Sequence, residues 1–212
     1  MQASSKIQVL IAVDHALVRE GLIAILNRSK NFEVVAQTGN QSEIMGHFVR
    51  FRPAVLVMDL RLQGNETIET VRKVRDSYPN ASILIISDSD GSEDIYRALR
   101  SGARGYVLKD ASDTELLDAL QAISSGKRYI PPQIAARLAE RMDRSTLTPR
   151  EMEVLQFIVR GKSNKEIADL LNLTEGTIKY HINGILSKLG VTDRTQAATA
   201  ALLRGIIHPQ DL

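Results

Sequence analysis

Thr148-Pro149-Arg150-Glu151, Ser163-Asn164-Lys165-Glu166-Ile167-Ala168 and Thr174-Glu175-Gly176-Thr177-Ile178-Lys179-Tyr180-His181 mark three helix starts in close succession. Thr148 with Glu151 three residues on is a capping box, and Pro149 takes the first helical position, where its missing N–H costs nothing. Gly161 predicts a stop near Arg160, after a stripe that includes Met152, Leu155, Phe157, Ile158 and Val159. Ser163 or Asn164 caps a second helix over 165–171, with Ile167, Ala168, Leu170 and Leu171 as a small buried face. Asn172-Leu173-Thr174 turns the chain, and Thr174 caps a third helix. There Ile178, Ile182, Ile185, Leu186 and Leu189 share one face, leaving Lys179, Tyr180, Asn183 and Ser187 on the other.

Reading the major groove requires an anchored helix, a second helix crossing the backbone, and side chains near the first turns of the inserted helix that reach base edges. Lys179, Tyr180 and Asn183 are the candidates, and double-stranded DNA is the implied partner. Any one of them alone reads better as a solvated side chain on a three-helix bundle; the whole constellation outweighs that. The segment resembles the LuxR-type helix-turn-helix of NarL/FixJ-family regulators through Leu147-Thr148-Pro149-Arg150-Glu151, Ser163 to Ala168, Gly176 to His181 and Lys188-Leu189-Gly190-Val191. The likeness runs from Leu147 to about Ile207. It implies that Lys179 and Tyr180 face bases or phosphates and that Thr177 and Lys188 lie close to the DNA backbone. Asn183 departs from it, standing where relatives often carry a basic residue. Gly184 is a second oddity, because a helix-interior glycine costs about 1 kcal/mol relative to alanine unless close packing requires it. His181 has no second ligand at zinc spacing and reads as structural or phosphate-contacting. A last helix over about 196–204 carries Ala197, Ala198, Ala201 and Leu202; in the family the equivalent helix pairs two DNA-bound modules.

At 212 residues the chain fits two domains. Their predicted limits are 1–125, a linker with a short helix over 126–145, and 146–212. No cysteine is present, which excludes disulfides, thiolate catalysis and thiolate metal sites. No apolar run approaches the roughly 20 residues that span a bilayer. The start Met1-Gln2-Ala3-Ser4-Ser5-Lys6 has no signal-peptide core, so no membrane association and a cytoplasmic location are expected. Residues 1–124 carry 14 Lys/Arg against 16 Asp/Glu, 125–144 carry 5 against 2, and 145–212 carry 8 against 7. A DNA-binding module so weakly basic depends on local placement of Lys162, Lys165, Lys179, Lys188 and Arg194, and on pairing as a homodimer across two half-sites.

From Ile7 to about Ser125, short apolar runs at 8–13, 33–37, 55–58, 83–86 and 105–108 alternate with helix-period segments. Nearly continuous apolar runs suit strands buried on both faces, and the alternation predicts an α/β fold with a doubly wound, five-stranded parallel sheet. Ligands of such sheets bind beyond the carboxyl ends of the strands. Asp14, Asp59, Ser87 and Lys109 fall at four of those ends. Two carboxylates there can hold Mg²⁺, one could attack phosphorus, and a hydroxyl and an ammonium would bind the phosphoryl oxygens. Singly, each is an ordinary surface-loop residue. The region resembles a flavodoxin-like response-regulator receiver domain through Val9 to Leu22, Val57-Met58-Asp59-Leu60-Arg61 and Ser101 to Asp110. The resemblance implies Asp59 as phosphoacceptor, Asp14 as metal ligand with Asp59 and the backbone carbonyl of Arg61, Ser87 as switch hydroxyl, Tyr106 as switch aromatic and Lys109 as phosphate-binding lysine. A sensor histidine kinase is the implied donor and RNA polymerase a further partner. Three positions depart from the pattern: Val13 replaces an acid, which should weaken Mg²⁺ binding, and Gln63 and Thr67 replace a proline and a glycine.

Gly126-Lys127-Arg128-Tyr129-Ile130-Pro131-Pro132 breaks the helical pattern and predicts a short hinge. Phosphorylation is expected to draw Ser87 toward Asp59 and Tyr106 inward, altering dimerisation or releasing the DNA-reading helix. The main reading is thus a non-enzymatic, DNA-binding regulator. Two alternatives stand beside it: an atypical regulator whose receiver works without phosphate, and an aspartyl-phosphate phosphotransferase, which would lack a general acid where Arg61 stands.

Overall fold

The computed structural model describes residues 6–62, 67–142 and 145–209. The first part alternates as expected: β1 (Ile7–Ala12), α1 (Ala16–Arg28), β2 (Phe32–Thr38), α2 (Ile44–Phe51), β3 (Val55–Asp59), α3 (Thr67–Ser77), β4 (Ser82–Ser87), α4 (Ser92–Arg100), β5 (Gly105–Leu108) and α5 (Asp113–Ser124). All four strand pairings are parallel, in the order β2-β1-β3-β4-β5. The order therefore reverses between β1 and β3, which places a binding crevice at their carboxyl ends.

Burial explains why these runs are strands. Val9 to Val13, Val55 to Met58 and Ile83 to Ile86 are at most 2% exposed, so both faces of the sheet are covered. Alternate residues Val9, Ile11, Val13, Val55, Val57, Leu84, Ile86 and Val107 join Leu22 and Leu26 of α1 and Leu116, Leu120 and Ile123 of α5 in one core. Leu10, Leu56, Met58, Ile83 and Ile85, of the opposite parity, are equally buried.

The expected hinge is partly docked. Gly126 ends α5 at φ 83°, and Tyr129 then lies along the outer edge of β5. Its N–H donates to the Arg104 carbonyl at 3.0 Å, and its carbonyl accepts from the Tyr106 N–H at 3.3 Å. This bridge covers a strand edge that would otherwise be unpaired. It also explains Gly105, where a Cβ would meet Leu84 Cδ1 at 2.8 Å and the Tyr129 carbonyl at 3.2 Å. α6 (Pro132–Met142) follows.

The last part holds α7 (Pro149–Val159), α8 (Asn164–Leu171), α9 (Glu175–Leu189) and α10 (Arg194–Leu203). Thr148 and Ser163 each form a complete capping box, with Glu151 and Glu166, so Ser163 rather than Asn164 caps α8. Thr174 accepts from the Thr177 N–H at the start of α9. The core joins Val154, Leu155 and Ile158 with Ile167, Ala168, Ile178, Ile185, Leu189, Ala197 and Ala201.

Three details differ from the sequence reading. On α7 the buried set is Glu151, Val154, Leu155 and Ile158, the i, i+3, i+4, i+7 positions of one face, and this rotates Met152, Phe157 and Val159 to the rim. Leu170 is 54% exposed, because the face of α8 centred on Ile167 and Ala168 leaves it on the far side. Ala197 and Ala201 are fully buried in their own core, so they do not provide a surface for a second copy; Leu203, on the same helix, is 74% exposed.

Candidate functional site

Strand register brings the carboxyl-end residues together. Ala12 pairs with Met58 and Asp59 with Ile86, so Asp14 and Asp59 follow neighbouring positions on adjacent strands. Ser87 pairs with Leu108, and the Lys109 N–H donates to the Ser87 carbonyl at 2.8 Å. Asp59 is 1% exposed. Its Oδ1 accepts from the Arg61 N–H at 3.0 Å, and Lys109 Nζ lies 2.6 Å from Oδ2. That Lys109 contact is an ion pair without hydrogen-bond alignment, so the buried Oδ2 keeps no aligned donor. The Asp14 side chain, half-buried, has no protein hydrogen-bond partner among the described residues.

These are suitable donors for a hard cation. Mg²⁺ is held by one or two carboxylates with water and phosphate completing its shell, and an unaligned Asp59 oxygen beside an unpartnered Asp14 fits that need. Among the described residues no cluster of three or more His, Asp or Glu groups forms a fuller metal site. The Val13 side chain is fully buried in the sheet core, so nothing there replaces the missing acid. Thr67 opens α3 and is buried, whereas Gln63 lies outside the described residues.

Ser87 is fully buried, and its Oγ accepts from the Ser89 N–H at 3.0 Å. Tyr106 is fully buried too, with its hydroxyl donating to the Ser89 carbonyl at 2.7 Å. The inward movement of Tyr106 expected on activation is therefore already made in this structure, because the ring fills core volume and its hydroxyl finds a backbone acceptor. Sequence reading also gave no role to Arg19, whose Nη1 donates to the carbonyls of Val13 and Asp14.

On α9, Lys179, Tyr180 and Asn183 are exposed together, Tyr180 at 76%. Thr177 is half-buried, its hydroxyl 3.0 Å from that of Thr174. Lys165 on α8 is exposed. His181 is half-buried, its ring in an edge-type contact with that of Tyr180.

Lys188 and Arg194 are committed inside the module. Lys188 Nζ lies 2.6 Å from Glu151 Oε2, and Arg194 Nη2 donates to the Lys162 carbonyl at 2.6 Å. Glu151 is 7% exposed and also accepts from the Thr148 N–H at 2.7 Å and hydroxyl at 3.0 Å. Burial raises its pKa, but the hydrogen bonds from Lys188 and Thr148 outweigh that and hold the carboxyl below the usual range. This carboxylate also accounts for Gly184, where a Cβ would stand 2.6 Å from Glu151 Oε1. The sequence signal for the cluster was a glycine in a helix interior facing a helix with a charged residue in its buried stripe.

The bacterial LuxR-family regulatory protein model matches residues 145–201, and the response regulator receiver domain model matches residues 9–121. The chain is 36% identical over 203 residues to the transcriptional regulatory protein LiaR of Bacillus subtilis, covering 92% of this chain and 96% of that protein. It is 32% identical to the response regulator protein VraR of Staphylococcus aureus, covering 95% and 99%. Among solved structures it resembles RcsB of Salmonella enterica serovar Typhimurium, bound to promoter DNA in the presence of a phosphomimetic, with a TM-score of 0.73, 25% identity and 96% and 100% coverage. The receiver part and the LuxR-type part thus stand together in one chain that these relatives match over nearly its whole length, and the chain belongs to the NarL/FixJ family of DNA-binding response regulators.

Proposed function

We propose that this regulator is phosphorylated on Asp59 and that the modification controls paired binding of α9 to DNA. One observation carries the reading: a buried carboxylate at the switch point of the sheet, held 2.6 Å from Lys109, in a chain that exposes Lys179, Tyr180 and Asn183 on a capped helix. An Asp59 oxygen attacks phosphorus, the donor's leaving group departs with the bonding pair, and the ammonium of Lys109 shifts its ion pair from the carboxylate to the new phosphoryl oxygens. Bound by Asp14, Asp59 and the Arg61 carbonyl, Mg²⁺ would supply charge neutralisation during that transfer. The Ser87 hydroxyl, which accepts from the Ser89 N–H, then donates to a phosphoryl oxygen and is drawn toward Asp59. With Tyr106 already inside, the signal leaves through the backbone of Ser89, which both Ser87 and Tyr106 grip.

The donor in this reading is a sensor histidine kinase, and the output is a homodimer on double-stranded DNA that acts on RNA polymerase in the cytoplasm. Lys179, Tyr180 and Asn183 face the groove, with Thr177 and Lys165 near phosphate. Among the described residues no helix is long and apolar enough to cross a membrane.

Incubation of the full chain with acetyl phosphate and MgCl₂ should add one phosphoryl group by intact mass, lost in Asp59→Asn. No mass gain sinks the acceptor claim and leaves a receiver that works without phosphate. On DNA recovered by genomic binding, Lys179→Ala should lower affinity and reduce the salt slope by about one charge.

A further inference from the structure

Asp14 sits between the last residue of β1, Ala12, and the first of α1, Ala16. The Val13 N–H donates to the Thr38 carbonyl at 3.0 Å, but His15 at the helix cap makes no side-chain capping bond. Arg19, one turn into α1, donates from Nη1 to the Val13 carbonyl at 2.6 Å and to the Asp14 carbonyl at 3.2 Å. Its Nε donates to Gln37 Oε1 on β2 at 3.2 Å. Gly39, just past β2, closes over the same group, because a Cβ there would lie 3.2 Å from Nη1 and 3.6 Å from the Asp14 Cα.

The two carbonyls on Nη1 belong to the two peptide groups that flank the Asp14 Cα. Each peptide is planar, so holding the carbonyls on both sides restrains φ and ψ of Asp14 and with them the direction of its Cα–Cβ bond, from which the carboxylate projects. With Val13 withdrawn into the core, Asp14 is the only acidic side chain this loop offers the pocket. A loop error that a pocket with two adjacent acids could absorb would here remove the loop's whole contribution.

We infer that Arg19 is a positioning residue: it aims the Asp14 carboxylate at the Asp59 pocket by clamping the peptide groups on either side of it. The inference rests on the reading of Asp14 and Asp59 as metal-holding carboxylates. A guanidinium suits the task because its planar fork serves the loop and β2 at once, whereas an ammonium is a point donor that cannot span both.

The test is calorimetric titration of MgCl₂ into the full-length chain, beside thermal melting in EDTA, for the unmodified protein, D14N, R19Q and R19K. Removing a group that orients a metal ligand typically weakens metal affinity about 10–100-fold. R19Q should fall in that range while still melting cooperatively within a few degrees of the unmodified chain, R19K should lie between them, and D14N should lose the site. Unchanged Mg²⁺ affinity in R19Q overturns the inference, as does a lowered melting temperature with affinity intact, which marks a purely structural residue. Should R19Q not fold, R19K decides: weakened affinity supports the clamp and full affinity overturns it. If the unmodified chain binds no Mg²⁺, the reading of the pocket itself fails and the inference with it, a result distinct from an indifferent R19Q.

Discussion

Gly184→Ala should destabilise the DNA-binding unit, although the same change in an open helix interior stabilises by about 0.5–1 kcal/mol. The added Cβ would stand 2.6 Å from Glu151 Oε1, which must retreat to the ordinary contact distance of 3.4 Å or more. A free glutamate would swing aside, but this one is pinned through Oε2 by the Thr148 N–H, the Thr148 hydroxyl and Lys188. Losing one charge-assisted bond costs about 1.5–3 kcal/mol, so the net loss after the gain in helix propensity is about 1–2 kcal/mol. Native-state hydrogen exchange read by mass spectrometry on peptides from α7 and α9 reports this locally in the full chain. A loss of that size should lower protection by about 5–30-fold. The change should reverse sign in a Glu151→Ala background, where Gly184→Ala becomes stabilising by about 1 kcal/mol. Slower exchange in the single variant, or continued destabilisation without Glu151, would refute the contact as the reason for the glycine.

Acid sensitivity of the same unit should follow two carboxyls. Glu151 is held below its usual value, so its stabilisation is complete above about pH 4.5 and is lost as pH falls through the depressed folded value; Glu151→Gln should flatten the acid limb of an unfolding titration. Glu166 is pulled down to about 2 by the Ser163 N–H and hydroxyl and by Lys162, so NMR should find the start of α8 intact at pH 4 and fraying as pH 2 is approached. Lys109→Met should destabilise the receiver by up to about 3–5 kcal/mol in chemical denaturation, less for the solvent that reaches the lysine, and adding Asp59→Asn should restore most of it; no recovery in the double variant would contradict an uncompensated buried charge. In DNA binding, Lys188→Met should leave the salt slope unchanged, because its ammonium sits on Glu151, whereas a slope lowered by about one would return it to the phosphate contacts.

The two-unit plan, the parallel sheet and the capped helices of the last part were legible in the sequence because each rests on local order. Continuous apolar runs specify doubly covered strands, and Thr148, Ser163 and Thr174 declare helix starts through bonds spanning three residues. That Asp14, Asp59, Ser87 and Lys109 share one edge of the sheet was legible for a related reason: in a parallel sheet the strands end on the same side, so residues at the ends of neighbouring strands lie near one another whatever their separation along the chain. What tertiary structure alone decided were the choices between partners that local pattern leaves equivalent. Lys188 and Lys179 look alike as cations on one helix, yet Lys188 faces Glu151 on another helix while Lys179 faces solvent. Ala197 and Ala201 look like a surface for close helix pairing, and the pairing is with their own core. Tyr106 is an ordinary edge aromatic until a backbone carbonyl seventeen residues away receives its hydroxyl. Arg19 is one more helical arginine until the fold places the two carbonyls around Asp14 within reach of a single nitrogen. Periodicity fixes which face a side chain occupies, but the identity of the group across from it depends on contacts between distant segments, and those exist only after the sheet and the bundle have closed.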